Sequence, residues 1–382
     1  MSKPLDDDMM KATRLTTSGR LLEATELLQR MLRGQRSASE SKSPVAAPKT
    51  SPLLAVGQHA PRLITTLIDK LKLKADDQKA DQKIELSARA RAAPTPEIMP
   101  PEGQFIAKSY GNAAGIINYK LYIPSKVSGS PKPLIIMLHG CGQSPDDFAV
   151  GTGMNFAAEE KSCFVAYPEQ TARANSQRCW NWFQKGHQAR DLGEPSLIAG
   201  IATQICSQYN VDLRRIYIAG LSAGGAAAAV LTDAYPDIFA ALGVHSGVAC
   251  GLATDMTSAF SVMQGRSGAE PQRAAKHVPA IVFHGDRDST VHPKNGDQVV
   301  TRAASSGRFQ RKVQQGTTAT GRAFTRTVHL DAKGNAHVED WVIHGGGHAW
   351  FGGSAKGSYT DPQGPDASRE MLRFFLSHKR RT

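Results

Sequence analysis

The sequence has no long hydrophobic run. None of its apolar stretches approaches the ~18–20 residues that a helix needs to cross a bilayer, so no transmembrane segment is expected. Residues 1–8 are polar and acidic, without the apolar segment of a secretory signal peptide. We therefore expect a cytoplasmic protein, with export by another route as the alternative.

Cysteine is scarce, and its spacing excludes the common metal motifs. The five cysteines are Cys141, Cys163, Cys179, Cys206 and Cys250. They contain no C-x-x-C pair, so no metal site is expected. An odd number of cysteines in a chain of 382 residues without a signal peptide favours reduced thiols. One or two disulfides remain open if the protein is exported.

The excess of positive charge is not concentrated in one place. Lysine and arginine number 46 against 34 acidic residues, a net charge of +12. The basic residues are spread along the chain and form no aromatic-flanked patch, so no nucleic-acid partner is expected. The basic residues 378–381 are more typical of a solvated helix end.

Two regions differ in composition. Residues 1–102 carry two stretches of helical apolar periodicity, at 21–32 and 63–71, separated and followed by Ser-, Pro- and charge-rich segments. We interpret them as a weakly structured extension with two amphipathic helices. These helices either pack on the body or dock on a partner or a hydrophobic polymer surface. Residues 103–382 are interpreted as one catalytic domain.

In the second region, apolar runs alternate with helical patterns, which is typical of a largely parallel α/β sheet. A hairpin is predicted at 104–110 and 116–123. Further strands are predicted at 134–138, 164–166, 216–219, 241–244, 281–283, 325–330 and 338–343, and a closing helix at 368–377.

The most informative motif is Gly220-Leu-Ser222-Ala-Gly224, which lies between an apolar strand and a helix of small residues. A serine at such a strained strand-to-helix turn is an exposed nucleophile, and the flanking glycines avoid collisions with neighbouring backbone. The motif therefore predicts Ser222 as the catalytic nucleophile of an α/β-hydrolase fold with a mostly parallel central sheet flanked by helices.

The strand at 134–138 ends in His139-Gly-Cys141-Gly-Gln143. In this fold the loop after that strand donates an oxyanion N–H together with the residue after the nucleophile. The backbone amides of Cys141 and Ala223 are therefore the predicted donors. His139 is interpreted as a structural residue, and a thiol nucleophile at Cys141 is the less favoured alternative.

A carboxylate and a base must follow the serine in chain order. The segment 281–291 offers Asp286 and Asp288. Asp288 is preferred because it lies farther into the loop, whereas Asp286 is placed to pair with Arg287 or to cap the turn. The candidate bases are His292, His329, His337, His344, His348 and His378. His348 is preferred because it follows three glycines that allow close approach to the serine.

With these segments in place, the sequence resembles the polyhydroxybutyrate depolymerase-like esterases, relatives of feruloyl and acetylxylan esterases. The matching pieces are 138–143, Cys179-Trp-Asn-Trp-Phe183, 193–195, 220–224 and 347–350. The resemblance implies an α/β-hydrolase fold, a triad on Ser222, Asp288 and His348, and no cofactor. It implies an ester substrate, either small or polymeric.

Several alternatives stay open. Trp180, Trp182 and Trp350 are candidates to line a substrate subsite, or they pack in the core. A polyester or oligoester is the first substrate expected, with feruloyl, other aryl or acetyl esters as alternatives. A peptidase or amidase on the same fold, or a binding module with a degenerate site, would be a different class.

Overall fold

A computed structural model describes residues 98–266, 278–305 and 307–380. The expected extension at 1–102 and its two amphipathic helices lie almost wholly outside the described residues. Their structure and the boundary near residue 103 therefore stay predictions.

Ten strands form one mixed sheet in the described part of the chain. They are β1 (Gln104–Asn112), β2 (Gly115–Ile123), β3 (Lys132–Leu138), β4 (Phe164–Pro168), β5 (Val211–Leu221), β6 (Ala241–His245), β7 (Ala280–Gly285), β8 (Gln310–Thr317), β9 (Ala323–Leu330) and β10 (Ala336–Ile343). Their order is β1-β2-β4-β3-β5-β6-β7-β10-β9-β8. The strands from β4 to β10 in that order are parallel, and both edges are antiparallel. The mostly parallel sheet expected from the sequence is confirmed.

Helices cover both faces of this sheet. They are α1 (Pro145–Thr152), α2 (Met154–Glu160), α3 (Gly193–Gln208), α4 (Ala223–Ala234), α5 (Met256–Met263), α6 (Lys294–Ala304) and α7 (Ala367–Leu376). Two short parallel strands, β11 (Trp350–Phe351) and β12 (Thr360–Asp361), pair separately. Helices α3 and α4 contribute to the core on one face, and α1, α2 and α7 to the core on the other. Every helix in the described segments is too short or too polar to span a bilayer.

Strand β3 shows why its sequence forms the centre of the sheet. Successive side chains of a strand point to opposite faces. Leu134, Ile136 and Leu138 pack in one core, and Ile135 and Met137 pack in the other. A run that is apolar at every position is therefore buried on both faces, as parallel strands are.

The edges of the sheet differ from its centre. The predicted hairpin is confirmed, and the Asn112 side chain accepts a hydrogen bond from the amide of Ala114 in its turn. Strand β8 was not predicted. Its sequence, Gln310–Thr317, is polar and exposed, so it carries no apolar period, and it forms by pairing with β9. Burial does not specify a polar edge strand of this kind.

The register of the parallel strands brings their carboxyl ends to one edge of the sheet. Leu138 pairs with Gly220, and Leu221 pairs with His245. At the same edge, Ile343 at the end of β10 pairs with Gly285 at the end of β7. The loops after β3, β5, β7 and β10 therefore meet there, and these loops carry the predicted catalytic residues.

Candidate active site

Ser222 lies on a sharp turn between β5 and α4. Its backbone has φ 57° and ψ −119°, a conformation that residues with a side chain rarely adopt. Such strain costs of order 1–3 kcal/mol and persists only where the surroundings hold it. One restraint is the Ser222 amide, which donates to the carbonyl of His245 at the end of β6 (2.9 Å). The turn presents a half-buried serine at the carboxyl edge of the sheet.

The two glycines of the motif are required by close packing. A Cβ at Gly220 would lie 2.3 Å from the carbonyl carbon of Gly224. A Cβ at Gly224 would lie 2.1 Å from the carbonyl oxygen of Leu138, at the end of β3. The collision expected from the sequence is confirmed. The same contact shows that the turn after β3 lies directly against the turn that carries Ser222.

Helix α4 starts at Ala223, immediately after the serine. The first amides of a helix have no acceptor within the helix, and the helix dipole adds a partial positive charge there. The amide of Ala223 belongs to this first turn. Its position suits the predicted role as an oxyanion donor, which stays a prediction.

Asp288 and His348 form a hydrogen-bonded pair. Asp288 Oδ2 lies 2.7 Å from His348 Nδ1, and Asp288 Oδ1 accepts from the amides of Thr290 and Val291 at 2.9 and 2.8 Å. Asp288 is buried. Burial by itself raises the pKa of this carboxyl. The hydrogen bonds from His284, His348 and the amide of Val291 outweigh burial and hold the pKa of Asp288 well below its ordinary value.

Backbone packing brings this pair together across the sheet edge. A Cβ at Gly285 would lie 2.3 Å from the carbonyl oxygen of Gly346, so the end of β7 touches the glycine loop after β10. The amide of Arg287 donates to the same carbonyl (3.0 Å), and that of Asp286 donates to Ile343 (3.1 Å). These contacts require a glycine at the end of β7. Within the loop after β10, Gly345 has φ 72° and a Cβ at Gly346 would lie 2.8 Å from the Phe351 ring, so glycine is favoured at both positions.

The competing candidates form a separate pair. His344 Nδ1 lies 2.9 Å from Asp286 Oδ2, and the Gly345 amide donates to Asp286 Oδ1 at 2.7 Å. Although burial raises it, the pKa of Asp286 is lowered by these two hydrogen bonds. Asp286 thus fixes the start of the glycine loop. Its predicted capping role agrees with this contact, but its partner is His344 and not Arg287.

Ser222 and the Asp288–His348 pair both interact with His245. His245 accepts from the Ser222 amide through its carbonyl, and the charge of His348 is among the causes that, after burial, lower the pKa of the His245 ring. The hydrogen bond between Ser222 Oγ and His348 Nε2 that catalysis requires stays a prediction.

A disulfide joins Cys141 to Cys179, which corrects the expectation of reduced thiols. Two positions 38 residues apart are brought together because the turn after β3 packs against the segment that contains Cys179. Spacing along the chain does not report this proximity. Because the sulfur of Cys141 is bonded in the disulfide, this residue is not the thiol nucleophile that the sequence offered as an alternative. Its backbone amide stays the predicted oxyanion donor.

His139 has a structural role, as expected. It is buried, its Nε2 accepts from the Gln170 amide at 3.1 Å, and its Nδ1 lies 2.8 Å from the Gly140 carbonyl. Burial lowers the pKa of His139 to about 4, so the ring is neutral near pH 7. A buried neutral imidazole with both nitrogens engaged supports the turn that carries Cys141.

Of the two alternatives for Trp180 and Trp350, a substrate subsite or the core, their burial favours the core. They are 0% and 1% exposed. The Trp180 indole donates to the His139 carbonyl (3.0 Å), and Trp350 stacks on His245. An amphipathic ring in a fully buried position presents no surface to a substrate. Trp182 is 6% exposed and packs on Phe183, and its role in binding stays a prediction.

Two histidines behind the pair were not predicted. His284 is buried at the end of β7, with Nε2 2.8 Å from the Val291 carbonyl and 3.5 Å from Asp288 Oδ2. His245 is the last residue of β6, where it pairs with Phe283 of β7 and its Nε2 accepts from the Phe351 amide (3.0 Å). The available signal was a histidine at the carboxyl end of two consecutive buried strands.

A mostly parallel sheet, a serine on a strained strand-to-helix turn and a later Asp–His pair define the α/β-hydrolase class. The acetyl xylan esterase from Aspergillus awamori shares this fold, with a TM-score of 0.57 and 18% identity over 72% of this chain and 99% of that chain. A model of the family described as Esterase PHB depolymerase matches residues 117–321, and the chain belongs to this family.

Individual relatives agree with the family. The chain is 30% identical over 254 residues to poly(3-hydroxyalkanoate) depolymerase C of Paucimonas lemoignei, covering 63% of this chain and 60% of the relative. It is 26% identical over 264 residues to poly(3-hydroxybutyrate) depolymerase of Ralstonia pickettii, covering 64% and 53%. The chain thus spans less than two thirds of these relatives' length. An acetylxylan esterase of Coprinopsis cinerea is 26% identical over 278 residues, covering 68% and 72%.

Proposed function

We propose that the chain hydrolyses carboxylic esters through an acyl-enzyme on Ser222. The observation that carries the proposal is the 2.7 Å hydrogen bond between His348 and Asp288, formed across 60 residues at the sheet edge that also holds Ser222. A buried carboxylate costs stability unless it is fully hydrogen-bonded. Acyl transfer accounts for a buried carboxylate bound to an imidazole at the sheet edge that carries a strained serine.

The proposed mechanism assigns each group one task. His348 Nε2 takes the Ser222 proton as Oγ attacks the ester carbonyl, while Asp288 keeps Nδ1 protonated and stabilises the imidazolium. The amides of Cys141 and Ala223 hold the oxyanion, each worth about 3–4 kcal/mol. His348 then protonates the departing alcohol. A water molecule that gives its proton to His348 attacks the acyl-enzyme, and the carboxylic acid and free Ser222 result.

Hydroxyalkanoate oligoesters or polyesters are the first substrate class we propose. The family description and the two bacterial depolymerases support it. Acetyl esters of carbohydrates are the second candidate, favoured by the Coprinopsis acetylxylan esterase, of which the match covers 72%. Feruloyl esterase B of Neurospora crassa, 26% identical over 207 residues, supports aryl esters as a variant of the same reaction.

Two further expectations stay proposals. Docking on a hydrophobic polymer through the two helices of residues 1–102 falls outside the described residues. The second is a cytoplasmic location. The Cys141–Cys179 disulfide favours the alternative, export to an oxidising compartment, because cytosolic thiols are kept reduced.

The nucleophile is tested by Ser222→Ala, with Ser246→Ala as the matched control. Ser246 is buried at the end of the next strand and also has a positive φ, 48°. Hydrolysis of p-nitrophenyl butyrate should fall by roughly 10⁴-fold or more in the first variant and stay near wild type in the second, with circular dichroism unchanged in both. Activity of Ser222→Ala within tenfold of wild type would show that Ser222 is not the nucleophile.

The substrate class is tested with a panel. Hydroxybutyrate oligomers, p-nitrophenyl and feruloyl esters, acetylated xylan and the matching p-nitroanilides should be compared by kcat/KM. Esters should exceed the anilides by orders of magnitude. A preference for anilides would assign a peptidase or amidase.

A further inference from the structure

Glu194 is a buried carboxylate that the proposed mechanism does not use. It lies in the first turn of α3 and is 7% exposed. Its Oε2 accepts from the Asn181 amide at 2.8 Å. Its Oε1 accepts from Asn181 Nδ2 at 2.6 Å and from Gln170 Nε2 at 2.5 Å, and His187 Nδ1 lies 3.7 Å away. The carboxylate thus ties the segments around residues 170 and 181 to one point.

Those segments hold the turn that carries the predicted oxyanion donor. The Gln170 amide donates to His139 Nε2 (3.1 Å), and Gln170 Nε2 also donates to the Cys179 carbonyl (3.1 Å). The Trp180 indole donates to the His139 carbonyl (3.0 Å). Cys179 is joined to Cys141 by the disulfide. Three of these contacts end on the 139–141 turn, and the Gln170 side chain reaches it through Cys179 and the disulfide.

Stability alone does not explain a carboxylate at this position. Burying an ionised group is expensive, and an apolar side chain of similar size often gives equal or greater stability. The α3 N-terminus favours negative charge, which lowers that cost. What a carboxylate does and an apolar group cannot do is fix three donors in direction. An oxyanion donor needs such fixing because it must point at the place where charge develops.

We propose that Glu194 is a positioning residue for the oxyanion site. Through Gln170, His139 and the Cys179 carbonyl, it holds the 139–141 turn so that the Cys141 amide points at the oxyanion. The proposal rests on the proposed esterase function. Its consequence is specific, because a displaced donor weakens binding of the transition state and leaves binding of the ground-state ester nearly unchanged.

The test is Glu194→Gln, with Glu339→Gln as the matched control. Glutamine keeps the size of the Glu194 side chain. Its NH₂ group, however, is a hydrogen-bond donor and would face the donors of Asn181 and Gln170. Glu339 is equally a buried carboxylate with several donors, from Arg326, Arg373 and Trp341. It lies on β10, four strands from β3 in the sheet order. Both variants lose one buried charge, and only one of them is connected to the oxyanion turn.

The readouts are kcat and KM on p-nitrophenyl butyrate, and Ki for a phenylboronic acid that forms a tetrahedral adduct on serine. Glu194→Gln should lower kcat about 10–100-fold and weaken boronate binding by a similar factor, with KM within about threefold. Glu339→Gln should lower the melting temperature and leave all three values within about threefold at 20 °C. Gln170→Ala, which breaks the link to Glu194 and Cys179 but keeps the backbone bond to His139, should show the first pattern more weakly.

The outcomes separate the two proposals. If Glu194→Gln matches Glu339→Gln in kcat and boronate Ki, or loses activity through KM alone, the positioning role is overturned. If Glu194→Gln does not fold, Gln170→Ala decides, and unchanged kcat and Ki in that variant overturn the role. A wild-type protein that neither hydrolyses the ester nor binds the boronate overturns the esterase function and the positioning role with it.

Discussion

At the residue scale, Asp288 keeps a negative charge inside the protein because hydrogen-bond donors surround it. Two backbone amides occupy Oδ1, and His348 and His284 face Oδ2. In a medium of low dielectric constant each of these donors acts more strongly than in water. The same burial that would disfavour the charge therefore strengthens the contacts that hold it.

The choice of acid and base is tested by comparing neighbours. His348→Ala and Asp288→Asn should each lower kcat by about 10³-fold or more, because they remove the base or its orienting group. His344→Ala and Asp286→Asn should lower it by less than about tenfold, since their half-exposed pair shapes only the start of the glycine loop. Steady-state kinetics on one soluble ester measures all four. A reversed ranking at either position means that the assignment there is wrong.

The depressed pKa of Asp288 predicts a pH-dependent stability difference. Its folded-state pKa lies below the unfolded value of about 3.9, so ionised Asp288 stabilises the folded protein above that pH. This contribution is lost as the pH falls through the folded-state pKa. The difference in unfolding free energy between wild type and Asp288→Asn should be largest above about pH 5 and shrink below about pH 4. Urea titrations from pH 3 to 7 measure it, and a difference independent of pH speaks against the assignment.

At the element scale, the turn after β3 is held by two kinds of link. One is the hydrogen-bond network of His139 and Gln170, and the other is the Cys141–Cys179 disulfide. The three remaining cysteines, Cys163, Cys206 and Cys250, are free. Burial raises the pKa of the Cys163 and Cys250 thiols to about 12, which keeps them protonated and unreactive.

Removal of the disulfide should destabilise the folded protein. Closing a loop with a sequence separation of 38 is worth about 4 kcal/mol in the chain-entropy account. The double variant Cys141→Ser/Cys179→Ser should therefore unfold at lower temperature than the oxidised wild type. Calorimetry with and without dithiothreitol provides the control, because reduction should bring the wild type down to the variant and leave the variant unchanged. A wild type that is shown by mass spectrometry to be reduced but has an unchanged melting temperature contradicts the prediction.

At the scale of the whole molecule, every residue of the proposed site lies after residue 138. Within the described residues, the chain is already anchored at Ile98, whose carbonyl accepts from the Asn155 side chain (2.9 Å) and whose side chain packs on the core. The N-terminal residues before this point carry the two predicted amphipathic helices and none of the predicted catalytic groups.

We therefore predict that a chain starting at residue 98 hydrolyses a soluble ester within about twofold of the full-length rate. If the N-terminal helices dock on a hydrophobic polymer, the shorter chain should lose activity on insoluble polyester only. Turnover of p-nitrophenyl butyrate and of a polyhydroxybutyrate suspension should be measured in parallel for both chains. Equal loss on both substrates would show that residues 1–97 support the catalytic body and are not dispensable.

The sequence by itself determined the features that depend on local pattern. The buried parallel strands follow from runs that are apolar at every position, and the turn at Ser222 follows from glycines that no larger residue can replace. The order of serine, acid and base limited the candidates to two aspartates and six histidines. Loop position and the run of glycines then favoured Asp288 and His348, which the structure brings within 2.7 Å of each other.

The tertiary structure decided whatever depends on neighbours distant in sequence. It joined Cys141 to Cys179, placed His284 within 3.5 Å of Asp288, stacked His245 on Trp350 and enclosed Trp350 in the core. It also gave the polar strand β8 a partner in β9. In each case the residue type allows several environments, and only the packing of strands and loops from separate parts of the chain selects one of them.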